Sequence, residues 1–209
     1  MYLYVNNFLT EEEVIDVRNY LFYQKYTFIE SIKAAKDNVT GLISDKFSDN
    51  GIMVIHEFDP EFAKNLINKF AEKNNIKIHK ILRQRSNLTF RSKEPRPMEP
   101  HVDLRRREKN YTFVYYANDS DGNTNLYDKR YTGKEVDPNS LTLYKSFEPK
   151  AGHALFFDGD IFHNWEYPKE SDFRSSIVIN VVCEVDESIM EKVPFWFLGN
   201  SSVGRAGHC

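Results

Sequence analysis

The chain carries only two cysteines in 209 residues, Cys183 and Cys209, the second being its final residue. A disulfide framework is therefore not expected, and a reducing compartment is the default. The opening MYLYVNNFLTEEEV lacks a basic segment followed by an apolar run, and no stretch approaches the roughly 20 apolar residues of a membrane helix. The expectation is a cytoplasmic protein with no membrane anchor. Positive charge is not in excess either: the formal net charge is −3. That disfavours a globally basic nucleic-acid binder, although local basic patches stay open. Internal repeats and low-complexity tracts are absent. Aromatic residues, by contrast, are plentiful, with Phe 16 and Tyr 12, which argues against overall disorder. The length suits one domain over residues 1–200, followed by a small, polar, flexible tail, SSVGRAGHC, over 201–209.

YLYVNNF reads as a short edge strand. Thr10 with Glu13 forms a capping-box pattern, and Val14, Val17 and Leu21, with Ile15 as a further candidate, recur at helical spacing, predicting a helix over 11–24. The stretch 30–50 has no sustained period and reads as a loop. Asp59-Pro60 opens a second helix, with Phe62, Leu66, Ile67 and Phe70 on one face and Asn74-Asn75 at its end. From Ile76 the texture changes to β-type runs: IKIHKILRQ, NLTF, YTFVYYAN, LTLYKSF, HALFFDG and SSIVINVVC. The clusters KEPRPMEP, NDSDGN, TGKEVDPNS and EPKAG punctuate them. The expected class is α+β, mostly β: helical support over about 10–75, a sandwich or barrel over about 76–185, and an extension over 186–200.

His101-Val102-Asp103 places two metal-ligating side chains at i and i+2, on one face if the segment is extended. His163 supplies a second imidazole from another strand or strand end. Two histidines and one carboxylate fill one face of an octahedron and leave three positions open, the donor set of non-haem Fe(II) oxygenases. Taken alone, His-x-Asp is a common and usually unremarkable pattern. Arg174 and Ser176, also at i and i+2, begin the β-type run RSSIVINVV, where a guanidinium fork and a hydroxyl suit a carboxylate.

In order, PHVD, YTFVYYANDSDGNTNLYD, FEPKAGHALFFDGDIFHNWEY and FRSSIVINVV resemble the 2-oxoglutarate- and Fe(II)-dependent dioxygenases, in their prolyl 4-hydroxylase-like branch, over roughly residues 80–183. The resemblance implies a double-stranded β-helix (jelly roll) buttressed by N-terminal helices. It implies Fe(II) held by His101, Asp103 and His163, with 2-oxoglutarate as co-substrate, O2, and ascorbate as an optional addition. It also implies that Arg174, helped by Ser176 and by Tyr116 of the YYAN strand, receives the distal carboxylate. The implied reaction is hydroxylation of a C–H bond in a peptidyl (prolyl included) or small-molecule substrate, with release of succinate and CO2. Two departures stand out. Gly122-Asn123-Thr124-Asn125 replaces the family's usual Gly-Gly pair, and the segment before His101 is long and basic. There Arg85, Asn87 and Thr89 alternate, so all three face inward or all outward.

Arg91, Lys93 and Arg96 before the triad, and Arg105, Arg106 and Arg107 after it, are expected to rim its entrance or to form solvated loops. A basic rim would favour an anionic substrate; nucleic acid is not the favoured partner. Trp165 either walls the pocket or anchors its loop, packing being the expected role, and His153 is expected to hold a plain surface or core position. Pro194-Phe195-Trp196-Phe197 either makes dimer contacts or, as expected, covers the β core. Two other classes remain open: a jelly-roll binding or scaffold domain, and a metal-dependent cupin that does not use 2-oxoglutarate.

Overall fold

A computed structural model describes residues 1–22, 27–29, 53–56, 59–91, 98–106, 108–134 and 136–194. The loop expected over 30–50, the aromatic cluster at 195–197 and the tail lie outside the described residues.

Helix α1, Glu11–Phe22, begins on the expected capping box. The Thr10 N–H donates to the Glu13 carboxylate at 2.9 Å, and the Glu13 N–H donates to Thr10 Oγ1 at 3.3 Å. Three acidic residues in its first turn complement the positive end of the helix dipole. Val17 and Leu21 are buried, whereas Ile15 faces solvent at 54% exposure and does not belong to the apolar face. Helix α2, Pro60–Lys73, is capped by Asp59, whose side chain accepts from the Glu61 N–H at 2.9 Å. It ends at Asn74, followed by Asn75 at φ +52°. Tyr20 and Phe62 stack at 3.8 Å between ring centres and join the two helices. Thr10→Ala should cost about 1 kcal/mol, read as a fall of roughly 2–4 °C in thermal midpoint for a chain of this size.

Ten strands form two antiparallel sheets among the described residues. They are β1 Tyr2–Val5, β2 Thr27–Ile29, β3 Met53–His56, β4 Lys77–Phe90, β5 Tyr111–Tyr116, β6 Thr124–Arg130, β7 Leu143–Phe147, β8 Ala154–Asp158, β9 Ile161–Trp165 and β10 Phe173–Glu184. The larger sheet runs β1-β8-β5-β10-β4-β3-β2 and the smaller β7-β6-β9, so the two-sheet jelly roll is present and β1 pairs at its sheet, bridging also to Glu191. IKIHKILRQ and NLTF, which read as separate runs, are one strand of 14 residues. The polar pair Arg85-Ser86 that separates them in sequence is paired into the sheet opposite Val178 and Ile177. Neither β6, with the polar sequence TNLYDKR, nor β9 shows a sustained β-type run. Pairing of β6 with neighbours on both sides overrides its weak propensity.

Alternation decides what each face buries. Phe113, Tyr115, Phe156, Ile177, Ile179 and Val181 point toward the helices and pack with Phe8, Ile67 and Phe70. Val114, Tyr116, Leu155, Phe157 and Val178 point the other way and meet Leu126 and Ile161 of the smaller sheet. The central strands β5, β8 and β10 are thus buried on both faces over most of their length, which explains their near-continuous apolar sequence. The few polar residues on the inner face stand out against it.

Candidate metal centre

His101 and His163 are joined by an isolated antiparallel bridge, each backbone N–H donating to the other's carbonyl at 2.9 Å. That bridge fastens the segment before β5 to the middle of β9 and sets the two imidazoles 4.9 Å apart between ring centres. Val102 turns away and is buried, leaving His101 and Asp103 on the same side. One ligand atom from each of His101, Asp103 and His163 lies within 4.8 Å of the others. Asp103 Oδ2 is 3.8 Å from His163 Nε2, and Oδ1 is 4.0 Å from His101 Nε2.

The ring orientations are set by the backbone. His163 Nδ1 lies 2.9 Å from the Ile161 carbonyl and His101 Nδ1 3.1 Å from the Glu99 carbonyl. A carbonyl can only accept, so each Nδ1 carries the proton and each Nε2 presents a lone pair toward Asp103. Burial holds both imidazoles neutral: it lowers His163, and for His101, with His163 adding to it, the value falls to about 4. Burial alone would raise the Asp103 carboxyl. Arg85 and Arg83, joined by the two histidines, outweigh it and hold the group well below the usual carboxylate range. The three side chains therefore stand in the protonation states a divalent cation needs.

Asp103 is itself tightly held. Arg83 Nη2 and Arg85 Nη2 approach Oδ1 at 2.5 and 3.1 Å, and Asn180 Nδ2 donates to Oδ2 at 3.1 Å. Asn180 also donates to Thr112 Oγ1 at 2.9 Å and accepts from Arg83 Nε at 3.0 Å. Strand register places these groups in order along the inner face. Thr112, Asn180 and Arg83 form one row; Val114, Val178 and Arg85 the next; then Tyr116, Ser176 and Asn87; and finally Arg174 and Thr89. The alternation of Arg85, Asn87 and Thr89 thus resolves inward.

Arg174 closes this lane, only 2% exposed. Its Nε donates to the Gly122 carbonyl, Nη1 to Ser176 Oγ and Nη2 to Thr124 Oγ1, each at 2.9 Å. Those bonds take three of its five N–H groups. No carboxylate lies within ion-pair distance of it among the described residues. Tyr116 sits under the guanidinium at 5.7 Å; burial pushes its phenol up to about 12, and its hydroxyl has no hydrogen-bond partner. Asn87 Oδ1 and Thr89 Oγ1 are likewise buried without partners. A row of unsatisfied polar atoms ending on an unpaired buried cation is costly unless a polar, anionic molecule fills it.

Gly122, the departure noted in the sequence, has a structural reason. A Cβ there would sit 2.6 Å from the Glu166 carbonyl oxygen and 3.1 Å from Arg174 Cδ. Gly122→Ala should overpack the cradle and cost about 1–3 kcal/mol, measurable by urea unfolding.

His101, Asp103, His163, Arg174, Ser176 and Tyr116 are all brought to one lane between the sheets. Of the basic flanks, the residues that are described are not. Arg91 pairs with Asp172 on the surface, while Arg105 and Arg106 line a separate concavity with Arg130, Tyr131 and Asp160. Lys93, Arg96 and Arg107 lie outside the described residues. His153 packs against Tyr4, and Trp165 against Tyr167 beside the triad. Sequence reasoning missed Thr124, Arg83 and Asn180. The last carries a legible signal: it is the one polar residue in the apolar run IVINVV, at even spacing from Arg174 and so on the same face.

No protein-family model matches the chain, and no curated protein does either. Solved structures do. The carbocyclase SnoK from nogalamycin biosynthesis, described as non-haem and α-ketoglutarate-dependent, aligns over 86% of this chain and 79% of its own, at 15% identity and a TM-score of 0.59. HygX from Streptomyces hygroscopicus, solved with nickel and 2-oxoglutarate bound, covers 86% and 82% at 12% identity and 0.55. A prolyl hydroxylase from Trichoplax adhaerens, in complex with a hypoxia-inducible-factor peptide fragment, covers 90% and 84% at 17% identity and 0.52. The fold is that of the 2-oxoglutarate- and iron-dependent oxygenases. Within this oxygenase fold, the His-x-Asp and distal histidine lie together between the two sheets, open to one polar lane.

Proposed function

We propose that the protein is an Fe(II)- and 2-oxoglutarate-dependent dioxygenase that hydroxylates a C–H bond of a peptidyl or small-molecule substrate, releasing succinate and CO2. The observation that carries this reading is the buried, uncompensated guanidinium of Arg174 at the far end of a polar lane from a three-residue metal-ligand cluster. A binding or scaffold domain has no need of both, and a cupin acting without 2-oxoglutarate has no need of the second.

The residues present fit the groups implied. The Nε2 atoms of His101 and His163 with a carboxylate oxygen of Asp103 would hold Fe(II), and the remaining N–H groups of Arg174 would receive the distal carboxylate of 2-oxoglutarate. The Tyr116 hydroxyl and Ser176 flank that carboxylate position, and Asn87 and Thr89 offer orphaned atoms beside it. When bound together, the metal and co-substrate supply the oxidising chemistry. The chain's own part is to keep the imidazoles neutral and oriented by the Ile161 and Glu99 carbonyls, to fix Asp103 through Asn180, and to line the lane with apolar Val114 and Val178.

The solved neighbours were found holding molecules of both kinds: SnoN with nogalamycin RO, HygX with hygromycin B, and the Trichoplax prolyl hydroxylase with a peptide fragment. The test is anaerobic binding of 2-oxoglutarate to the metal-loaded protein, followed by O2-dependent succinate release with and without Fe(II). Metal-dependent binding and turnover are expected. If neither occurs, the scaffold reading stands instead.

A further inference from the structure

We infer that Arg83 and Arg85 form an oxyanion receptor at the mouth of the metal site, so that the substrate carries a carboxylate or phosphate group near the carbon that reacts. The inference rests on the oxygenase reading and names its substrate class.

Three observations lead there. Solvent reaches the triad from one side: the side chains of Arg83, His101 and Arg85 are 29, 27 and 19% exposed, against 2% for Asp103 and 8% for His163. Arg85 therefore lines the triad cavity on its solvent side, away from the lane's closed end, and Arg83 adjoins it through Asp103. Next, charge does not balance. Asp103 is the only carboxylate among the described residues lining this cavity, and it faces Arg83 and Arg85 while Arg174 stands alone. A divalent cation and a dianionic co-substrate cancel each other, leaving two positive charges uncompensated in a partly desolvated site. Finally, Arg85 is under-used: it reaches Asp103 through Nη2, while its buried Nε has no hydrogen-bond partner.

Strand register separates this receptor from the co-substrate. Arg174 pairs with Thr89, and Arg83 lies six residues further along β4, about 20 Å away between Cα atoms at strand rise. The distal carboxylate of 2-oxoglutarate goes to one end and its chelating carboxylate is neutralised by the metal. Arg83 and Arg85 remain for a different anion. Guanidinium forks match planar carboxylates and phosphates in two-point hydrogen bonding.

The experiment uses full-length protein loaded with redox-inert Ni(II) and saturating 2-oxoglutarate, titrated calorimetrically with benzoate, phenyl phosphate and the uncharged isostere benzamide. At least one anion should bind and benzamide should not. Arg85→Met and Arg83→Met should each weaken anion binding by about tenfold or more, and Arg85→Lys by less. Because both arginines also hold Asp103, Ni(II) affinity is measured first for each variant. The affinity for 2-oxoglutarate is compared only at Ni(II) saturation, where a change confined to metal loading drops out, and there it should stay within about threefold. Far-UV circular dichroism verifies that each variant is folded, and Arg85→Lys carries the test if a methionine variant is not. Failure of both anions to bind, equal binding of benzamide, or anion binding indifferent to all three substitutions would overturn the inference. A parallel fall in 2-oxoglutarate affinity at Ni(II) saturation would also overturn it, assigning the arginines to the co-substrate. If the wild-type protein binds no 2-oxoglutarate at all, the oxygenase reading itself fails, a result separate from these.

Discussion

Asp103→Asn is expected to abolish metal binding and to destabilise the metal-free protein by about 3 kcal/mol, more than loss of either histidine's metal-binding nitrogen would. The carboxylate does two things at once. It is the only anionic member of the ligand cluster, and it is the shared partner of Arg83, Arg85 and Asn180. An amide leaves two guanidiniums facing each other with no counter-charge. Removing one partner of a buried ion pair costs about 3–5 kcal/mol, and the lower end applies because both arginines keep some contact with water. His163→Gln should lose the metal with a smaller change in stability, since the carboxylate network survives. Anaerobic Fe(II) titration and urea unfolding of both variants separate the two effects. Retained metal affinity in Asp103→Asn would remove Asp103 from the ligand set, and unchanged stability would mean that the network does not hold the fold.

The same groups give the protein a pH signature in the metal-free state. Folded His101 is lowered to about 4 by burial, with His163 adding to it, whereas an unfolded histidine titrates near 6.5. The folded state therefore binds fewer protons in that window. Stability is fully present above about pH 6.5 and declines as pH falls toward 4, as the unfolded chain takes up a proton that folded His101 refuses. Asp103, depressed in the folded state, contributes stability above its unfolded value and loses it only in strongly acidic solution. Unfolding free energy measured from pH 7.5 to 4 should fall monotonically with acidification.

Much of this site was legible because its chemistry is written in close spacing. His101 with Asp103, and Arg174 with Ser176, are i, i+2 pairs, and extended backbone puts each pair on one face. The helices were legible from their ends, where Thr10 with Glu13 and Asp59 with Pro60 satisfy N–H groups the helix cannot. What stayed hidden depends on pairing between distant segments. TNLYDKR has no strand-like composition, and it becomes β6 because β7 and β9 flank it. Only then does Thr124 meet Arg174, fifty positions away. The same holds for Arg83 and Asn180, which β4–β10 register sets opposite one another so that both can reach Asp103. Of the two readings left open for the basic flanks, the described Arg91, Arg105 and Arg106 follow the solvated-loop one. Proximity in sequence to His101 and Asp103 says little about proximity in space once the chain turns into β5.

Arg174→Met should leave metal binding intact and weaken 2-oxoglutarate binding roughly 100- to 1,000-fold, equivalent to about 3–4 kcal/mol. The guanidinium is held by Gly122, Ser176 and Thr124, so its orientation is fixed before any ligand arrives. The N–H groups left over can form two charge-assisted hydrogen bonds to one carboxylate, each contributing about 1.5–3 kcal/mol. Methionine fills similar volume without charge or donors. Arg174→Lys should recover part of the affinity, because a point charge remains while the fork is lost. The Michaelis constant for 2-oxoglutarate should rise far more than the turnover number falls, since under the proposed function the group would bind the end of the co-substrate remote from the reacting centre. This outcome also discriminates among the chemistries. An enzyme that uses the triad without 2-oxoglutarate would keep its activity in Arg174→Met, and a protein that merely buries Arg174 as a structural cation would show a stability change with no ligand dependence. Only a co-substrate carboxylate at Arg174 links the loss to 2-oxoglutarate concentration and spares the metal.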